Sequence, residues 1–156
     1  IVMQMTWPGA PTLYYGDEAG VCGFTDPDNR RTYPWGHEDG DMVEFYRRAI
    51  ALHKKHPVFA HGSLKFLHTG YNTLAYGRFS KDEQIIVIFN NNSEEKELCI
   101  PVRQAEVSGE HVLKLVFYTD TEGFTEETEI YPVHSGEVTI KMTAKSAAVL
   151  VAERVD

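Results

Sequence analysis

From Pro57 to the C-terminus the apolar residues of this chain recur with a period of two, and no stretch of helical period interrupts them. That period sends alternate side chains to opposite faces of a strand, so this half of the chain has to pair into sheets. The segments 62–69, 73–80, 84–90, 96–102, 112–119, 128–133, 137–143 and 146–152 read as about eight strands. Leu64, Phe66, Phe79, Ile86, Ile88, Val138, Ile140 and Met142 supply apolar positions, and Asn90-Asn91-Asn92-Ser93, Ser108-Gly109 and Ser135-Gly136 punctuate the runs. Parallel strands would need crossover helices, and none lies between these segments. The expectation is an antiparallel two-sheet sandwich.

The N-terminal part obeys other rules. Ile1–Met5 reads as the end of an apolar element; it is too short to span a membrane and lacks the charged start and small-residue cleavage site of a secretory signal. Pro11 to Tyr15 predicts a short strand, and Gly16 to Gly40 a long loop in which about every third residue is Gly, Pro, Asp or Asn. A loop of that length in a compact domain is usually functional. Asp41 then offers a helix N-cap with Glu44 three residues on, and Pro57 ends the helix. Met42, Phe45, Ala49 and Leu52 form one apolar side, and Val43, Tyr46 and Ile50 widen it. The second side is expected to lack a partner within the chain, which would favour self-association.

Charge and cysteines narrow the partners. A formal net charge of −8 argues against nucleic acid and against anionic membrane surfaces. Cys22 and Cys99 stand far apart without a metal-binding spacing; they read as free thiols and point to a reducing, cytoplasmic compartment.

Chemistry concentrates in the long loop. Asp26 and Arg30 lie four apart around Pro27, so one turn can set a carboxylate beside a guanidinium fork, a combination suited to vicinal hydroxyls. A plainer reading makes that pair a closure of the loop, and both stay open. Asp28 and Arg31 read as loop braces. Tyr14, Tyr15, Phe24, Tyr33 and Trp35 offer flat faces for a sugar ring or for packing; Tyr33 and Trp35, embedded in polar loop, are the better candidates for contact. Trp7 reads as packing on the preceding helix end.

Other motifs fail. Asp26-x-Asp28-x-Arg30 opens like a calcium loop, but its sixth position is Arg31 where Gly is required and its twelfth is His37 where Glu is required. His53 and His56 have helical spacing without a neighbouring acidic or cysteine ligand, so they read as solvated basic residues. No metal or cofactor site is expected, and there is no nucleophile elbow, phosphate loop or dinucleotide fingerprint.

Pro8-Gly9-Ala10-Pro11-Thr12-Leu13-Tyr14-Tyr15-Gly16-Asp17-Glu18, then Asp26-Pro27-Asp28-Asn29-Arg30-Arg31 and Tyr33-Pro34-Trp35, resemble the α-amylase family of glycoside hydrolases, within it the neopullulanase, cyclomaltodextrinase and maltogenic amylase group. The resemblance implies that residues 1–57 are the last strand, substrate loop and last helix of a (β/α)8 barrel, and that 58–156 are the all-β domain behind it. A whole barrel needs about 250 residues, so this chain cannot contain one. It further implies an α-glucan or maltooligosaccharide substrate, held in part by Asp26 and Arg30. Retaining hydrolysis or transfer in the family uses carboxylates on barrel strands this chain does not hold, so no catalytic residue is assigned and Asp17-Glu18 is taken as scaffold. The alternatives for the β half are a carbohydrate-binding module and a purely structural buttress.

Overall fold

A computed structural model describes residues 1–155. Three helices, α1 Val2–Thr6, α2 Gly40–Lys55 and α3 Val58–His61, precede nine strands. These are β1 Ser63–Gly70, β2 Thr73–Phe79, β3 Gln84–Asn90, β4 Lys96–Ile100, β5 His111–Asp120, β6 Gly123–Thr125, β7 Ile130–Pro132, β8 Val138–Met142 and β9 Ser146–Arg154. One antiparallel sheet runs in the order β1-β2-β3-β9-β5-β6, with β7 also paired to β5, and β4 and β8 form a separate two-stranded sheet.

The large sheet is covered on both faces. On one, Leu98, Ile100, Ile140 and Met142 of the small sheet meet Ile86, Ile88, Leu115 and Leu150. On the other, Val2, Phe45, Leu52, Val58 and Phe59 of the helical segment meet Tyr76, Ile85, Val87, Phe117 and Val149. This explains the unbroken run Ile85-Ile86-Val87-Ile88: with both faces buried, alternation gives way to a continuous apolar strand. Each such side chain, fully withdrawn from water, contributes about 1.5–3 kcal/mol. The sandwich is thus lopsided, a broad sheet between a small sheet and a helical layer.

Several expectations change at this level. Residues Pro11–Tyr15 form no strand, because a strand exists only through its neighbours and none lies alongside. Val2–Met5 lie in the short helical turn α1, which Ile1 precedes as its N-cap residue. Asp39, not Asp41, caps α2: its Oδ1 accepts from the Asp41 and Met42 amides at 3.1 and 3.0 Å. Glu44 is then left to pair with Arg47 and Arg48. Pro57 starts α3 as well as ending α2. Strand 96–102 stops at Ile100, since Pro101 lacks an amide hydrogen and a 3-10 turn follows at Val102–Ala105. Segment 128–133 shrinks to Ile130–Pro132, and β6 is an added strand of three residues.

The second side of α2 is not left bare. Tyr46 and Ala49 are buried against Met5 of α1, with Met42 and Ile50 at the margin, while Phe45 meets Phe117 and Phe124 edge-on at 5.7 and 5.5 Å. His56 is likewise buried rather than solvated. Its Nδ1 lies 2.6 Å from Glu83 Oε1, and its Nε2 has no hydrogen-bond partner among the described residues. His53 Nδ1 lies 2.7 Å from the Met5 carbonyl oxygen.

The helical layer is fastened by Arg78 of β2, a fully buried cation. It donates from Nη1 to Thr6 O (2.6 Å), from Nη2 to Val58 O and Gly62 O (2.9 and 3.0 Å) and from Nε to Ser63 O (3.3 Å). Beside it the Thr6 hydroxyl meets the Tyr76 hydroxyl at 2.6 Å, and burial pushes the Tyr76 phenol up to about 12.

Replacing Arg78 by Met keeps the volume and strands four carbonyls. Urea unfolding should show a loss of about 3–5 kcal/mol, with Lys recovering less than half of it because an ammonium cannot span the same fork. A midpoint within experimental error of wild type for R78M would show the clamp to be dispensable.

Candidate functional site

The loop leaves the scaffold through a narrow neck. The Asp39 amide donates to Ala19 O at 3.1 Å. Gly20 has φ 74°, and a Cβ there would sit 2.9 Å from Asp39 Cβ, so only glycine lets the two strands of chain approach this closely. A 3-10 turn at Asp17–Ala19 leads into the neck, with Glu18 Oε2 accepting from the Gly16 amide at 3.0 Å. Glu18 is therefore engaged in shaping the turn, as a scaffold residue would be.

Within the loop, Asp28 is the organising acid. Its Oδ2 accepts from the Phe24 amide at 3.1 Å, and both its oxygens accept from Arg31 at 2.8–3.1 Å. The Arg31 guanidinium, and next the Phe24 amide, hold its carboxyl below the usual carboxylate range. Stabilisation of this sign is complete above the ordinary carboxylate pKa and is lost only as pH falls through the depressed one. The Tyr15 hydroxyl donates to Arg31 O at 3.0 Å, tying the far end of the turn to the segment before the neck. The Asp26–Pro27 peptide bond is cis.

The expected binding residues fall into two pairs. Arg30 Nε stands 2.7 Å from Asp26 Oδ1, with the two side chains 69% and 59% exposed. An ion pair that open contributes at most about 1 kcal/mol to stability. Tyr33 and Trp35 form the second pair, ring centroids 4.5 Å apart and inclined by 49°. Trp35 is 80% exposed, whereas Tyr33 is half-buried; partial desolvation, then the carboxylates of Glu18 and Glu38, hold its hydroxyl above the usual range, so it stays a neutral donor. Phe24 is almost wholly exposed, and Tyr14 and Tyr15 lie 5.0 Å apart. Trp7 packs elsewhere than expected, edge-on against Tyr76 at 5.5 Å and near Phe66 at 6.1 Å. Sequence reasoning passed over Tyr15 as a tether and Gly23 as a contact point. A lone glycine between Cys22 and Phe24 was the available signal.

No group of three or more potential metal-ligating residues is found among the described residues, and both cysteines are free and exposed. No helix among them is long and apolar enough to cross a membrane.

A scan against protein-family models finds no match. Individual proteins do match. The chain is 29% identical over 164 residues to an amylopullulanase of Thermoanaerobacter thermohydrosulfuricus, covering 97% of this chain and 10% of that protein. It is 34% identical over 118 residues to a cyclomaltodextrinase of Thermoanaerobacter pseudethanolicus, covering 74% of this chain and 20% of that one. Its fold superposes on the α-amylase of Geobacillus thermoleovorans, solved with acarbose, with a TM-score of 0.83 and 20% identity over 99% of this chain and 32% of that structure. The chain thus spans between a tenth and a fifth of the length of these two sequence relatives.

A Cβ on Gly23 would lie 2.6 Å from Asn29 Cα and 2.9 Å from Asp28 O, both backbone atoms that cannot yield without opening the turn. Gly23→Ala should cost about 1–3 kcal/mol locally. Trypsin should then cut after Arg30 or Arg31 several-fold faster while the unfolding midpoint of the β-sheets stays put. Equal cleavage rates would mean that the turn tolerates the methyl group.

Proposed function

We propose, from the premise that this chain belongs to the α-amylase family of glycoside hydrolases, that its loop 20–39 contributes to binding an α-glucan in an enzyme that hydrolyses or transfers α-glucosidic bonds. Residues 1–57 are then the closing part of the catalytic barrel and 58–156 the β-domain that supports it. The catalytic carboxylates belong to parts of the enzyme outside this chain, which supplies binding surface and support.

One observation carries the reading. The loop is already closed by Asp28, Arg31 and Tyr15, so Asp26 and Arg30 are not needed to close it, yet they are held together at 2.7 Å and left open to solvent. Among the described residues the Nη groups of Arg30 have no hydrogen-bond partner, and they suit the vicinal hydroxyls of a glucosyl unit. Trp35 and Tyr33 supply apolar ring faces for the C–H side of such a unit. The two free cysteines support a reducing, cytoplasmic setting. Exposed Ile1, Met3, Leu13, Tyr14 and Tyr15 support self-association of the isolated chain, where nothing else covers them.

In the full-length protein, Arg30→Ala and Trp35→Ala should each lower kcat/KM on maltohexaose by about tenfold, roughly 1.4 kcal/mol for one charge-assisted bond or one stacked ring. Melting should be unchanged, and maltotriose should be affected less. The isolated chain should leave maltotriose, cyclodextrin and pullulan intact. Unaltered efficiency in both variants would remove the loop from the substrate site, and turnover that copurifies with the isolated chain would overturn the division of roles.

A further inference from the structure

Resting on the reading that loop 20–39 holds glucan, we propose that Asp28 is a positioning residue that acts on substrate through Arg30. Its carboxylate reaches back to the Phe24 amide and forward to the Arg31 guanidinium, so one side chain fixes both flanks of the turn. Backbone bonds from the Asp28 amide to Thr25 O (2.8 Å) and from the Arg30 amide to Pro27 O (3.0 Å) close the interior. Tyr15 holds Arg31 O from outside. Arg30 therefore emerges from a backbone fixed on either side, and its Nε stands 2.7 Å from Asp26 Oδ1 as an exposed ion pair.

That arrangement limits how Arg30 presents its fork. The ion pair with Asp26 restrains the guanidinium and leaves its Nη donors uncommitted, beside an Asp26 oxygen not used in the pair. Two donors and one acceptor in a fixed order match adjacent hydroxyls that each donate and accept. Without the brace Arg30 keeps its charge but must be ordered by the ligand, at a cost in affinity. The brace is not there for global stability, since Arg31 and Asp28 are 55% and 48% exposed and such pairs contribute little.

The test is a double-mutant cycle in the full-length protein, read as KM and kcat on maltohexaose, with hydrogen exchange at the Phe24 amide as a measurement independent of sugar. Asp28→Ala should raise KM about fivefold, leave kcat within about twofold and abolish protection of the Phe24 amide. In an Arg30→Ala background the same change should raise KM less than about twofold, because the residue it positions is gone. Asp28→Asn, which can still accept from Phe24 but loses the ion pair, should fall between, and Arg31→Gln serves as a second variant should Asp28→Ala fold poorly. Equal effects of Asp28→Ala in both backgrounds, or no effect where Arg30→Ala alone is impaired, would overturn the positioning role while leaving the glucan site intact. An Arg30→Ala protein with wild-type KM would instead overturn the glucan reading and this proposal with it.

Discussion

The fold turns on a cation that has no counter-ion among the described residues. Arg78 lies at zero exposure, and burial lowers its pKa, yet an arginine keeps its charge at any working pH. A buried charge costs several kcal/mol unless it is solvated from within. Here the solvation comes from carbonyls of Thr6, Val58, Gly62 and Ser63; those of Thr6 and Gly62 lie at the C-terminal ends of α1 and α3, where backbone oxygens lack helical partners, and that of Val58 also accepts from the Gly62 amide. The arginine therefore satisfies the short helices that in turn satisfy it. Neither α1 nor α3 is long enough to be stable alone, so their existence depends on this exchange.

From that clamp the rest of the layer follows. With α1 and α3 fixed to β2, Val2, Val58 and Phe59 cover the outer face of the large sheet, and α2 is left to fill the space between α1 and the Phe117–Phe124 side. The position of α2 sets its N-cap, Asp39, and Asp39 is also one side of the neck from which the loop projects. The sheet, the clamp, the helix and the loop form a single chain of dependence. A solvent-exposed turn is thereby carried on packed structure rather than on its own weak bonds.

What could be read in advance divides along the range of the interaction. The period of two marked every long strand, and the limits of 84–90 were met to the residue, because side-chain alternation and apolar runs are local. The proximity of Asp26 and Arg30 within one turn was legible for the same reason. Long-range partnerships were not. His56 looked like a solvated residue near a helix end because its partner Glu83 is 27 positions away. Tyr46 looked unpartnered because the residue that covers it, Met5, lies on a turn too short to announce itself. Pro11–Tyr15 shows the opposite failure: the segment has strand composition, but no adjacent backbone in this chain to complete it.

Two arginines show how placement decides role. Arg78 has no carboxylate partner among the described residues and is wholly enclosed, so four of its five N–H donors go to backbone oxygens and the guanidinium is closed to a ligand. Arg30 has a carboxylate at 2.7 Å and stands in solvent, where the pair adds little to stability and most of its donors are uncommitted. A guanidinium enclosed by the fold is a structural bolt, and one left exposed and largely uncommitted is, on the proposed reading, a recognition element. On the proposed reading, Asp28 separates the second case from an ordinary surface arginine: by taking up the hydrogen bonds of the Phe24 amide and Arg31, it leaves the Arg30 guanidinium free for a ligand.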